Sequence, residues 1–351
     1  MRLADLTERA GEWLRGGGPS HDVVISTRIR LARNLAGMPF LSRCSADQRN
    51  ELQDRLRAPL LESGLAPDMF YVDVAAAGEL DRRLLVERQL ISRQHAEAKH
   101  PRGVAVAASE TLSIMVNEED HLRIQVLRSG LQLAEAAKEI RRVDEWLEGR
   151  MDFAFHSRYG YLTACPTNVG TGMRVSVMLH LPALKMTGEI EKAFRAARDM
   201  RLAIRGLYGE GTEATGDFFQ ISNQTTLGKT EEQVVAGLLD SCIPQFVQYE
   251  RRARESLLRR QTLAVDDKVL RALAILRAAR LIGSEETMYL LSLVRLGAHL
   301  QRLKDVDLQR INELFLLTQP AHLQKIHGRE MNPQERAEVR AAFIRRRLGA
   351  V

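Results

Sequence analysis

The stretch from Leu112 to Val126 constrains this chain more than any other. Leu112 to Val116 is mostly apolar, Asn117-Glu-Glu-Asp120 is a run of four polar residues, and alternation resumes at Leu122, Ile124 and Val126. Strand-like patterns on both sides of a polar break read as two strands joined by a tight turn. Such a turn holds Glu118, Glu119 and Asp120 in one small volume, with Arg123 just beyond. Taken alone, the cluster reads as a solvated hairpin tip. Two further stretches carry complementary chemistry: Cys165-Pro-Thr-Asn-Val-Gly-Thr-Gly-Met-Arg174 and Arg205-Gly-Leu-Tyr-Gly-Glu-Gly-Thr-Glu213.

Upstream, Val23-Val-Ile-Ser-Thr-Arg-Ile-Arg-Leu-Ala-Arg33 has strand periodicity. Ser26, Arg28 and Arg30 fall on one face, and Thr27, Ile29 and Leu31 on the other. The first face delivers two guanidinium groups about 7 Å apart. Solubility of an edge strand and a grip on a polyanion both remain open from this segment. Arg28, Arg30, Arg123, Arg174 and Arg205 each lie on a strand, at a strand end or beside a glycine-rich loop. Arginine suits phosphate because its planar fork donates two parallel hydrogen bonds and keeps its charge. The chain has neither a G-x-x-x-x-G-K-[ST] loop nor the H-R-D and D-F-G set of protein kinases, so guanidinium groups must do most of any nucleotide binding. Cys165, read alone, is a buried structural thiol.

The 351 residues suit two domains. The N-terminus lacks the apolar core of a signal peptide, and no run is long enough to span a bilayer. Cysteines 44, 165 and 242 share no disulfide or zinc spacing, which points to a reducing cytoplasm. The net charge of +6 is uneven: from residue 251 onward there are 20 Lys/Arg and 11 Asp/Glu, against 31 and 34 before it. The two parts should therefore have different partners. Periodicity predicts helices over 45–63, 79–96, 131–147 and 188–204, with strands at 69–74, 104–107, 153–155, 161–164, 174–181 and 217–222. Beyond residue 230 helical segments dominate, broken at Pro320 and Gly328. The expected division is a lead over 1–22, a catalytic domain over 23–255 and a helical domain over 256–351.

Ser26-Thr-Arg-Ile-Arg30, Asn117-Glu-Glu-Asp-His121, Cys165-Pro-Thr-Asn-Val-Gly-Thr171 and the Arg205 glycine loop resemble, in order, the motifs of the phosphagen (guanidino) kinases. The resemblance implies an α+β fold, a mainly antiparallel sheet flanked by helices, here followed by an all-helical C-terminal domain. It implies transfer of the γ-phosphoryl of MgATP to a guanidinium, with Mg²⁺ held through the phosphates and no protein metal site. Glu119 would be the catalytic carboxylate, Glu213 its partner and Cys165 the thiolate beside the guanidinium. The five arginines would clamp the ATP phosphates. Further nucleotide contacts are implied along Ser26, Thr27 and Ile29, along Val175, Ser176, Val177 and Met178, and along Gly206, Leu207, Tyr208, Gly209 and Glu210. Gln89 stands where many relatives carry a histidine before Leu-Ile-Ser.

Small-substrate members place a helical domain before the first arginine strand; here that strand begins at Val23, and a helical extension follows instead. This arrangement resembles the bacterial protein-arginine kinases, which implies protein substrates with exposed arginine. It also implies an activator protein, links to protein degradation under stress, allosteric control and a homodimer. Arg336 and Arg340, four apart on one helical face, resemble that group's phosphoarginine-binding regulatory site, with Ala337 where an acid is expected. The rival readings are a kinase for free arginine and a nucleic-acid-binding regulator with a degenerate kinase domain. Retention of Glu119, Glu213, Cys165 and the arginines argues against degeneracy. Few aromatics interleave with the basic tail, which argues against a single-strand binder, and no direct nucleic-acid binding is expected; no membrane partner is expected either, since no apolar run is long enough to span a bilayer.

Overall fold

The computed structural model describes residues 3–8, 10–62, 64–207 and 215–349. Its strands are β1 (Val24–Arg33), β2 (Phe70–Asp73), β3 (Gly103–Val106), β4 (Leu112–Val116), β5 (Leu122–Ser129), β6 (Phe155–His156), β7 (Gly160–Tyr161), β8 (Met173–His180), β9 (Leu202–Arg205) and β10 (Phe218–Asn223). Eight of them form one antiparallel sheet in the order β2-β3-β4-β5-β1-β8-β10-β9. The early arginine strand thus lies near the middle, between the acidic hairpin and the strand leaving the Cys165 loop.

Around the sheet lie α1 (Ala46–Leu60), α2 (Glu79–Glu87), α3 (Arg93–Glu97), α4 (Leu133–Glu148), α5 (Pro182–Met186), α6 (Ile190–Asp199), α7 (Glu231–Ala236) and α8 (Ile243–Arg260). Ile29, Leu31, Ile114, Ile124, Val126, Val175, Val177 and Ile221 fill one sheet face and join a single core with buried residues of α1, α4, α6 and α8. In α4 the buried Leu133, Ala136, Ile140, Val143 and Leu147 recur at helical spacing. Ser45 starts α1 through a capping box with Gln48.

The later helices are α9 (Thr262–Ala278), α10 (Ser284–His299), α11 (Leu308–Leu317), α12 (Pro320–Ile326) and α13 (Pro333–Leu348). Their core contains Leu291, Val294, Ile311, Phe315 and Ile344, and is continuous with Trp13, Leu127, Met178, Leu207 and Phe218. These helices therefore cover one end of the polar sheet face.

Three local expectations change. The helix expected over 188–204 stops at Asp199; Arg201 takes φ 58° and the chain returns as β9, pairing with β10. Pro320, read as a break, starts α12, where its fixed φ and missing N–H suit the first helical turn. The helix over 79–96 divides into α2 and α3 around Gln89, at φ 64°.

Candidate active site

Strand register decides which side chains meet. Arg30 lies opposite Arg174 and Arg28 opposite Ser176, while Ala32 lies opposite Arg123. Gln220 is opposite both Met178 and Arg205. Opposed residues share a face, so all five arginines project from the same side of the sheet. The same parity divides the expected nucleotide set between the two faces of the sheet. Thr27, Ile29, Val175 and Val177 turn to the helix-covered face, where Ile29 and both valines are core residues and Thr27 Oγ1 donates to the Gly130 carbonyl. Ser26, Ser176 and Met178 stay on the arginine face. Leu207 is buried against Trp13 and Met178, and Gly206 precedes it at the end of β9. Tyr208, Gly209, Glu210 and Glu213 lie outside the described residues.

The arginines are oriented mostly by neutral groups. Arg28 donates to Gln89 Oε1 at 2.9 Å and to Gln220 Oε1, and Arg174 donates to Ser222 Oγ at 3.3 Å. The Gln89 carbonyl is held in turn by Gln125 Nε2 at 2.7 Å. Arg30 Nε is buried without a hydrogen-bond partner among the described residues. Burial, together with the neighbouring guanidinium groups, lowers the pKa of Arg28 to about 9 and that of Arg30 well below its ordinary value. Crowded cations with an orphaned donor fit a polyanion such as the triphosphate of ATP.

The acidic turn separates its three carboxylates. Asn117 takes φ 61° and its side-chain amide donates to the Arg49 and Pro101 carbonyls, which fixes the reversal. Glu118 accepts from Arg123 and from Ser92 Oγ, each at 2.6 Å. Burial raises its pKa, but Arg123 and Ser92 outweigh that and hold it at about 2. Asp120 Oδ1 accepts from Asn34 Nδ2 at 2.6 Å and from the Ala164 amide at 2.7 Å. Glu119 is half-buried, and its carboxylate has neither ion pair nor hydrogen bond among the described residues. Its pKa is raised by burial and by Asp120 and Glu118, against Arg123 and Arg174. One acid orients an arginine, one ties down a loop, and the third has no partner for its carboxylate among the described residues.

That loop carries Cys165. Asp120 binds the amide next to it, and Asn34 also donates to the Leu162 carbonyl at 3.0 Å. Thr226 Oγ1 contacts the Thr167 and Val169 carbonyls at 3.1 and 2.7 Å. Gly170, at φ 114°, lies so close to Leu227 that a Cβ would stand 2.9 Å from its Cα, so glycine is required there. Cys165 Sγ lies 3.0 Å from Thr167 Oγ1 and is partly exposed. Asn34, Asp120 and Gln220 were missed as positioning groups because their partners lie far away in sequence.

Arg33 ends β1 on the opposite, helix-covered face, with the parity of Ile29 and Leu31. It is fully buried, with Nε and Nη2 on Asp144 at 3.0 and 2.6 Å and Nη1 on the Thr171 carbonyl at 2.8 Å. Asp144→Ala strands this charge and should cost about 3 kcal/mol, the lower end for a broken buried pair, because Glu231 remains 3.7 Å away. Denaturant unfolding measures it. Glu118 makes stability pH-dependent: with its pKa depressed from 4.5 to about 2, its contribution is complete above 4.5 and lost as the pH falls toward 2. Glu118→Gln should therefore flatten the acid limb of the stability curve.

On α13, Arg340 is 3% exposed and donates to the Thr318 and Ile282 carbonyls at 2.8 and 3.0 Å. Arg336 Nη1 reaches the Met331 carbonyl at 2.6 Å. The face bearing these two residues is thus not a simple solvated one.

The fold and this site define a class: enzymes that move a phosphoryl group from a nucleotide onto a cationic acceptor. Residues 58–253 match the sequence profile of the ATP:guanido phosphotransferase C-terminal catalytic domain, and residues 262–351 match that of the protein-arginine kinase McsB C-terminal domain. The chain is 49% identical to a protein-arginine kinase of Symbiobacterium thermophilum, with 100% of both chains covered. It is 45% identical to a protein-arginine kinase of Halothermothrix orenii, with 99% of each covered. Among solved structures, a duplicated taurocyamine kinase from Schistosoma mansoni with bound transition-state-analogue components superposes with a TM-score of 0.60 at 29% identity, over 71% of this chain and 36% of that one. Lombricine kinase, at 24% identity and a TM-score of 0.58 over 71% of each chain, shares the fold. The chain belongs to the ATP:guanido phosphotransferase family.

Proposed function

We propose that this chain transfers the γ-phosphoryl group of MgATP to the guanidinium of arginine residues in proteins. The observation that carries this reading is one sheet face bearing Arg28, Arg30, Arg123, Arg174 and Arg205, next to a turn in which only the Glu119 carboxylate has no partner among the described residues. Full-length similarity to protein-arginine kinases supports the choice of acceptor.

A guanidinium is a poor nucleophile because it is cationic and its lone pairs are delocalised. Glu119 orients one of its nitrogens by hydrogen bonding and accepts the proton it loses, and the raised pKa of Glu119 suits that task. Glu213 supplies the second carboxylate, and Cys165 a compensating negative charge. The arginine face stabilises charge on the equatorial oxygens of the transferring group. Mg²⁺, arriving as part of the MgATP substrate, would add to that charge compensation. Because the Glu119 pKa is raised, the acid limb of the rate profile should lie above 4.5; Glu119→Asp should shift that limb, and an unmoved limb would assign it to another group.

The test of the acceptor is direct. A folded, arginine-bearing protein and free arginine are offered separately with labelled ATP. Label entering the protein supports the proposal; label entering only free arginine replaces it with the small-substrate reading.

The same proposal includes a phosphoarginine-sensing site at Arg336 and Arg340, together with an activator protein, links to protein degradation under stress, a homodimer and a cytoplasmic setting. Arg340 holds two backbone carbonyls, so Arg336 is the cleaner probe. Arg336→Ala should weaken phosphoarginine binding outside the active site, measured by calorimetry on a Glu119→Gln background. Unchanged binding would remove Arg336 from that role.

A further inference from the structure

The C-terminal helices grip the catalytic part at the end of α2, just before the chain reaches the arginine face. Glu87, the last residue of α2, accepts from the Ala321 and His322 amides at 2.8 and 3.0 Å. Its carboxylate thus satisfies the free amides in the first turn of α12. Lys325 of α12 also pairs with Asp81 of α2. The next residue, Arg88, is fully buried and forks onto Glu110, between β3 and β4. Its Nη1 lies 3.1 Å from His322 Nε2.

The proton positions follow by elimination. A guanidinium only donates, so His322 Nε2 accepts and the ring proton sits on Nδ1. Nδ1–H donates to Glu87 Oε2 at 2.7 Å. Burial outweighs the nearby Glu87 and lowers the imidazole pKa, which keeps the ring neutral. One buried ring from α12 therefore ties Glu87 and Arg88 together. Removing it leaves Arg88 one hydrogen bond short in a dry place.

Gln89 comes next. Its φ of 64° is a conformation that a residue with a side chain keeps only where its surroundings hold it. Its amide donates to the Val86 carbonyl at 2.9 Å, and its carbonyl accepts from Gln125 at 2.7 Å. Its Oε1 accepts from Arg28 at 2.9 Å. Three consecutive residues thus run from α12 to the arginine face: Glu87 and Arg88 are held by His322, and Gln89 holds Arg28. Gln220 holds Arg28 from β10, so losing Gln89 loosens that guanidinium without detaching it.

The place of Arg28 decides which kinetic constant responds. The acidic turn lies at the Arg33 end of β1, since Leu122 pairs with Arg33. Arg28 stands two residues farther from that end than Arg30, about 7 Å along the strand. It therefore meets phosphate oxygens away from the transferring group, whose charge changes little in the transition state. An interaction of that kind acts on KM and leaves kcat nearly alone. We propose that His322, acting through Glu87, Arg88 and Gln89, is a positioning residue for Arg28, so that the C-terminal helices set the affinity for MgATP. The role rests on the arginine face gripping MgATP, as in the proposed function.

Titration calorimetry with MgATP, and steady-state kinetics on a folded protein acceptor, compare four forms of the full chain: wild type, His322→Ala, Gln89→Ala and the double variant. His322→Ala should raise the Kd and KM for MgATP at least about fivefold, with kcat within about twofold of wild type. Gln89→Ala should raise them at least as much. The double variant should match Gln89→Ala within about twofold, because a residue that acts through another adds nothing once that one is gone. A Kd for MgATP within about twofold of wild type in His322→Ala, whatever its thermal midpoint, would overturn the proposal. So would two effects that multiply in the double variant. If His322→Ala does not fold, His322→Asn, which keeps a donor for Glu87 and loses the acceptor for Arg88, is read by the same comparison. Wild type that fails to bind MgATP contradicts the proposed function, whereas tight binding by both wild type and His322→Ala contradicts only the positioning role.

Discussion

Glu119→Gln should leave MgATP binding intact and lower transfer to protein arginine at least about a hundredfold, the usual scale for losing a positioned general base. The two effects separate because Glu118, not Glu119, orients Arg123, through a 2.6 Å ion pair. Removing the Glu119 charge therefore leaves the phosphate-binding face as it stands. It deletes only the group that takes up the guanidinium proton. Titration calorimetry with MgATP and a single-turnover rate measure the two quantities independently. A rate within about tenfold of wild type would move the base elsewhere.

Arg30→Ala should lower kcat/KM for MgATP by about a thousandfold or more, the range seen when a transition-state arginine is lost. Arg30 lies opposite Arg174, its Nε is buried without a partner among the described residues, and burial beside Arg28, Arg123 and Arg174 depresses its pKa. A cation held this way destabilises the ligand-free protein. The substitution should therefore leave the thermal midpoint unchanged or raise it while activity collapses. A large fall in midpoint would mean that Arg30 supports the fold instead, and near-normal kcat/KM would remove it from the clamp.

Alternation alone separated Arg28 and Arg30 from Ile29 and Leu31, and the acidic turn was legible from the polar break at Asn117–Asp120. Sequence did not reveal which strands are neighbours. β1 lies between β5 and β8, and only that register shows Arg174 opposite Arg30 and Val175 turned away from the site. The separate duties of Glu118, Glu119 and Asp120 were hidden for the same reason: they depend on Ser92, Asn34 and Ala164, none of which is local to the turn. β9 was absorbed into a helical reading because four residues hold too little periodicity to separate it from α6.

The proposed acceptor is an arginine side chain of a protein, phosphorylated on nitrogen. Phosphorus NMR of the protein product, before and after brief acid treatment, tests it most directly. A protein-bound P–N resonance that acid abolishes is expected with wild type and not with Glu119→Gln. An acid-stable P–O resonance on the protein, or a P–N resonance found only on free arginine, would contradict it.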